Sequence, residues 1–163
     1  MATPAKQRVP EGMHTLTPHL WFSGNCGEAL DFYQRALGAE LIGEIVWGPD
    51  GTSVVHAMVR IGSSMMMVAD AWPGMWEQAP KTGTTAGLWI YVEDCDALFH
   101  RAVKAGAEVQ YPLDNMFWGD RMGKLKDPYG HCWAIASHVE DVGPEEMKER
   151  HDAWMASMAE KAH

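Results

Sequence analysis

The chain has 163 residues, 47% apolar and 21% charged, with 13 basic against 22 acidic side chains and a formal net charge of −9. That length suits about one domain with a core that needs no disulfide staples. The acidic balance argues against a nucleic-acid groove or an anionic membrane surface, and no apolar run approaches the roughly 18 residues of a membrane-spanning helix.

Residues 1–12 (MATPAKQRVPEG) carry no apolar stretch of the secretory kind, which predicts a cytoplasmic protein. Residues 15–22 (TLTPHLWF) are short and rich in β-formers, hence a strand. Residues 26–37 place Ala29, Leu30, Phe32, Tyr33, Ala36 and Leu37 at helical spacing, with Asn25 at the capping position and Gly38 where a helix ends. Strands follow at 40–47, 53–61 and 65–70, the last two broken by Gly62. The stretch 71–84 (AWPGMWEQAPKTGT) is rich in Pro and Gly and reads as a linker.

The same order then repeats. Residues 85–92 (TAGLWIYV) form a strand, 94–105 a helix ending at Gly106, and 108–113, 122–126 and 132–138 three strands. DPYG at 127–130 is a strong turn signal between the last two. A final helix occupies 143–162, with Met147, His151, Trp154, Met155 and Met158 near one face as a packing or dimer surface. Cys26, Cys95 and Cys132 are odd in number and form no CxxC, which fits reduced thiols rather than a disulfide frame or a zinc knuckle.

Sliding the chain by 68 residues without gaps shows the duplication directly. Leu20/Leu88, Trp21/Trp89, Ala29/Ala97, Gly38/Gly106, Glu40/Glu108 and Gly62/Gly130 are among the identical pairs. The expected fold is therefore α+β: two βαβββ modules with pseudo-twofold symmetry, at 13–70 and 85–140, plus the C-terminal helix.

The stretches TLTPHLWFSGNCGEALDFYQRALGAEL, HAMVRIG, LWIYVEDCDALFHRAVKAGAEV and WGDRMGKLKDPYGHCWAIASHVEDVGPEEMKER resemble the vicinal oxygen chelate superfamily. They are most similar to the PhnB-like branch of the glyoxalase/bleomycin-resistance proteins. The resemblance implies paired βαβββ modules, a cleft between curved sheets and a homodimer. It implies activities ranging from glyoxalase and extradiol dioxygenase to plain drug sequestration, so fold alone does not settle function.

The resemblance also implies four ligands to one divalent metal, one on the first and one on the last strand of each module. Here those positions are His19 and Gly87, then Met66 and Ala134. Only His19 can bind a metal in the usual way, and a catalytic site needs at least three protein ligands. No cofactor is expected there, although a divalent metal at a non-standard site stays open. If His19 and Trp21 share the cleft face with Met66, Val68 and Asp70, then His19, His56, Asp70 and His138 could converge as such a site. The bland alternative is four polar residues paired within the core or along the cleft rim.

The same alternation offers Trp21, Met58, Met66, Trp89 and Tyr91 to the cleft, beside small Gly87, Ala134 and Ala136. Such a surface suits a flat or apolar small molecule, and the alternative is that Trp21 and Trp89 are ordinary core. In the run Phe117 to Arg121, Trp118 and Arg121 are added as ligand contacts; the alternative is a turn with Arg121 paired to a nearby acid. His14, His100, His151 and His163 read as surface residues. No GxSxG, P-loop or HExxH is present, and Cys26 at a helix start reads as an ordinary first-turn residue. Three functions remain: a structural or partner-binding dimer whose cleft is vestigial, a protein that binds a small molecule without the four-ligand metal, or a glyoxalase-like lyase, isomerase or dioxygenase. The enzyme would use His19, His56 or His138 as acid/base or a displaced metal.

Overall fold

The computed structural model describes residues 2–161, in two units, residues 1–83 and 84–163. The first contains β1 (His19–Phe22), α1 (Cys26–Leu37), β2 (Glu40–Trp47), β3 (Val54–Ile61) and β4 (Ser64–Asp70). Its sheet runs β1-β4-β3-β2, with β1 parallel to β4 and the other neighbours antiparallel. The second repeats the plan with β5 (Gly87–Tyr91), α2 (Cys95–Ala105), β6 (Glu108–Asn115), β7 (Asp120–Lys126) and β8 (Cys132–His138), ordered β5-β8-β7-β6. The α3 helix (Pro144–Lys161) follows. This is the α+β, twice-repeated βαβββ arrangement the sequence predicts, with its C-terminal helix.

Each helix forms where apolar spacing and end signals coincide. α1 buries Ala29, Leu30, Phe32, Tyr33, Ala36 and Leu37, and Phe22 meets Tyr33 edge-on at 6.2 Å. It stops at Gly38, whose φ of 67° is left-handed and whose N–H donates to the Tyr33 carbonyl. α2 is capped by Asp94, which accepts from Ala97 N–H at 2.9 Å. Asn25 occupies the equivalent place on α1 without capping it; its side chain accepts instead from Ser23 N–H at 3.1 Å. The cap comes from β4: Asp70 Oδ1 accepts from Cys26 N–H at 3.0 Å and Oδ2 from Val54 N–H at 2.8 Å.

Several strand boundaries differ from expectation, and those of β1, β6 and β7 bear on register. β1 starts at His19 rather than 15, because Pro18 has no N–H; its carbonyl still accepts from Met67 N–H at 2.9 Å. β6 runs on to Asn115, and β7 starts at Asp120, so Asp120 and Arg121 are paired strand residues opposite His138 and Ser137. The DPYG turn is held by buried Asp127, whose carboxylate accepts from Tyr129 and His131 N–H and from Trp133 Nε1, each at 2.9 Å.

α3 begins at Pro144, a favoured first helical position, with Glu145 and Glu146 in its first turn. Phe117 packs against His151 and Trp154 of α3 at 5.3 and 5.5 Å between ring centres. Arg150 pairs with Glu140 and Glu146, each at 2.6 Å. Met155 and Met158 stay exposed. His14, His100 and His151 are exposed as expected, whereas His163 lies outside the described residues. Among the described residues no helix is long and apolar enough to cross a membrane.

Candidate functional site

Strand register decides which side chains share a face. In the first unit His19 stands beside Met67, Leu20 beside Val68, Trp21 beside Ala69 and Phe22 beside Asp70; Met58 opposes Met67 and Val59 opposes Met66. The side packed on α1 therefore carries Leu20, Phe22, Val59, Met66, Val68 and Asp70, all buried. The other side carries His19, Trp21, His56, Met58, Met67 and Ala69. His19 and Trp21 rings lie 4.0 Å apart at 31°.

This corrects the expectation for Met66 and Asp70. Both belong to the helix side, 5% and 3% exposed, so neither joins His19. Asp70 is spent on two backbone N–H groups, and its structural counterpart is Ser137, whose Oγ accepts from Cys95 N–H at 3.0 Å, rather than His138. Cys26 is inert: burial, with the Asp70 charge added, pushes its thiol up to about 12.

Glu77, a residue the sequence reading did not single out, adds to the first open face. Its charge acts on His19, and its Oε2 is buried with no hydrogen-bond partner among the described residues. Burial and then the nearby His56 lower the His19 pKa below 6.5, with Glu77 partly offsetting them.

In the second unit Gly87 stands beside Cys132, Trp89 beside Ala134 and Tyr91 beside Ala136, while Met122, Lys124 and Asp120 oppose Ala136, Ala134 and His138. These residues form the face away from α2. On the α2 side, a β-carbon on Gly123 would meet the Phe99 ring at 2.4 Å, so only glycine allows that approach. Trp89 and Tyr91 are 44% and 60% exposed with rings 6.1 Å apart, which makes them surface of the open face rather than core. Met116 and Trp118 cover Met122, Ala134 and Ala136.

Asp120 is the polar hub of this face, buried to 3% exposure. Tyr91 Oη and Trp118 Nε1 donate to its Oδ2 at 2.7 and 2.9 Å, and His138 Nδ1 donates to Oδ1 at 2.9 Å. The other His138 nitrogen faces Asp141 Oδ1 at 3.0 Å. Hydrogen bonds to Asp141 and then Asp120 raise the His138 pKa above 6.5. For Asp120 burial pulls upward, but the bonds from His138, Tyr91 and Trp118 outweigh it and the pKa falls below 3.8. Two histidines are thus biased in opposite directions. In a proton NMR titration His19 will titrate below 6.5 and His138 above it. Asp141→Asn will lower the His138 value and leave His19 unmoved; a shared midpoint for the two rings would contradict these environments.

Arg121 alternates with Asp120 and so points to the α2 side. Its fork closes on Asp96, Nε at 2.6 Å and Nη2 at 2.7 Å, so the ligand contact expected of it is replaced by a structural ion pair. Trp118, Trp89, Tyr91 and His138 are brought together with Asp120; His19, Trp21, His56 and Met58 share the first unit's open face.

A cavity of about 380 Å³ opens on the second unit near the start of β5 and β8. Gly87, Trp89, Gln110, Lys124, Cys132 and Ala134 are among its walls. Lys124 was not foreseen as a site residue, although counting by twos from Asp120 along β7 reaches it.

The residues do not fit the four-ligand metal that the resemblance implies. His19 neighbours Met67, and Gly87 neighbours Cys132 rather than Ala134. Among the described residues no three His, Cys, Asp or Glu side chains are grouped to hold an ion.

With the repeated fold and its two open faces in place, comparison with known proteins gives the class. The chain belongs to the glyoxalase/bleomycin resistance protein/dioxygenase superfamily, the vicinal oxygen chelate proteins, whose family model matches residues 14–135. It is 37% identical over 138 residues to an uncharacterized protein of Mycobacterium tuberculosis, covering 82% of this chain and 79% of that one. Among solved structures, protein PA1353 from Pseudomonas aeruginosa superposes with a TM-score of 0.63 at 26% identity, over 78% of this chain and 99% of that one. The PhnB protein from Bacillus cereus shares the fold, with a TM-score of 0.62 at 21% identity over 76% of this chain and 99% of that one.

Proposed function

We propose that the protein binds a small aromatic or apolar molecule on an open sheet face, without the four-ligand metal of its superfamily. The observation that carries this reading is the cavity of about 380 Å³ in the second unit, which exposed Trp89 lines together with Gly87, Cys132 and Ala134. A volume of that order accepts a drug-sized molecule. Trp89 supplies a stacking surface, and the small residues leave depth beside it. A β-carbon on Gly87 would meet nothing within 4 Å, so that position is open space.

The test is calorimetric screening of planar aromatic compounds against protein stripped of metal by a chelator. Binding at micromolar concentration, weakened at least about tenfold by Trp89→Ala, supports the reading; a stacked ring is worth about 1 kcal/mol beyond its buried area. Binding that appears only after a divalent metal is restored would overturn the metal-free part. Unaltered affinity in Trp89→Ala would remove this cavity as the site. A homodimer in the cytoplasm belongs to the same reading, and sedimentation equilibrium measures the dimer.

A second reading is favoured by the buried, unpartnered Oε2 of Glu77. Buried polar groups almost always find partners, and an exception points to an absent donor. With His19 and His56 nearby, that oxygen supports acid/base chemistry of the lyase or isomerase kind. Turnover of a glyoxalase-type substrate by metal-stripped protein, lost in His19→Ala and in Glu77→Gln, would favour this reading over the first.

A further inference from the structure

We propose that the cavity of the second unit selects an aromatic anion, its ring against Trp89 and its carboxylate at Lys124. The inference rests on the binding reading above and names the ligand class. Tyr111, Lys124, Ala134 and Trp89 lie in one row across the sheet, each pair adjacent in register. Trp89 and Lys124 both line the cavity, separated by the single small residue Ala134. A ring lying over Ala134 meets the indole on one side and the ammonium on the other.

Lys124 differs from the other cations of β7. Arg121 is held by Asp96 at 2.6 Å, and Lys126 by Glu108 at 2.8 Å. Lys124 is exposed and has no acidic partner among the described residues. The irregularity of register between Val109 and Tyr111 places Gln110 at the same wall, where its amide already donates to Glu108 at 3.0 Å. Glu108 is thus engaged by both Lys126 and Gln110, which leaves Lys124 as the free positive charge of the cavity. A carboxylate there gains a charge-assisted hydrogen bond, which a neutral group of the same shape does not. The net charge of −9 does not oppose this, because charges farther than roughly 8 Å are largely screened at physiological salt.

The probes are 2-naphthoate, 2-naphthylmethanol and 2-naphthylmethylammonium, which share a ring and differ in charge, measured by isothermal titration calorimetry on the full chain. The expected order places naphthoate about tenfold tighter than the alcohol, with the ammonium weakest. Lys124→Met brings naphthoate down to the affinity of the alcohol, Lys124→Arg keeps the advantage, and raising salt erodes it. Lys124 is exposed, so these variants keep the fold, which circular dichroism checks. If the alcohol binds as tightly as naphthoate, or Lys124→Met retains the preference, the anion inference is overturned while binding at Trp89 stands. If no probe binds the wild-type chain, both the inference and the aromatic-binding reading fall.

Discussion

Asp70→Ala will destabilise the first unit by about 3–5 kcal/mol, since each hydrogen bond from a buried group to a charged one contributes about 1.5–3 kcal/mol. The carboxylate sits 3% exposed between Cys26 N–H, the first residue of α1, and Val54 N–H, the first of β3. Alanine leaves both donors buried without an acceptor and removes a negative charge from a helix N-terminus, where the backbone dipoles favour it. Asp70→Asn keeps the shape and one acceptor oxygen, but turns an NH2 group toward the second donor, so it recovers less than half of the loss. Urea unfolding followed by far-ultraviolet circular dichroism measures both variants. A loss below about 1 kcal/mol for alanine, the scale of one ordinary hydrogen bond, would show that the carboxylate does not hold these two elements together.

The role of Asp70 also shows why the fold was legible and part of the site was not. Helices and strands announce themselves locally: the 3.6-residue spacing of Leu30, Tyr33 and Leu37, the glycines at 38 and 106, and the DPYG turn all act over a few residues. Site membership along a strand depends on parity, and parity is lost with each loop that gains or drops a residue. Counterparts stand 69 apart at the helix starts, Cys26 and Cys95. They stand 68 apart at Gly38 and Gly106, and 67 apart at Asp70 and Ser137. A constant slide of 68 is right at the helix ends and wrong by one in the last strand, which turns Met66 and Asp70 to the wrong face and hides Met67. In the second unit alternation alone placed Trp89, Tyr91, Ala134 and His138 together, because those positions were counted within their own strands. Glu77 carries no sequence signal of its own, and Lys124 only its strand parity with Asp120. One gains meaning from an unpaired buried oxygen, the other from the ion pairs its neighbours make.

Asp120→Ala is the second large effect, and it reaches the open face itself. Three side chains from three places in the chain, Tyr91, Trp118 and His138, donate to one buried carboxylate. Removing it costs the second unit about 3 kcal/mol or more, because the buried acceptor is charged and its donors cannot all turn to water. Trp118 then loses its anchor over Met122, Ala134 and Ala136, so its fluorescence will shift and broaden. Asp120→Asn separates charge from geometry. Its one oxygen can still accept from Tyr91 and Trp118, while its amide no longer favours an imidazolium at His138. The pH dependence follows with a definite sign. The Asp120 pKa is depressed below 3.8, so its contribution is present above that value and is lost as pH falls through the folded pKa. The His138 pKa is raised above 6.5, so the stabilisation tied to its charge is present below 6.5 and is lost as pH rises through the folded pKa. The pair therefore stabilises most strongly between those limits. Unfolding free energies of wild type and Asp120→Asn will differ most near pH 5, and the difference will narrow above the His138 pKa to the share that Tyr91 and Trp118 supply. A difference that stays level as pH rises through the His138 pKa would mean that His138 is neutral against Asp120 and that the hub is held by Tyr91 and Trp118 alone.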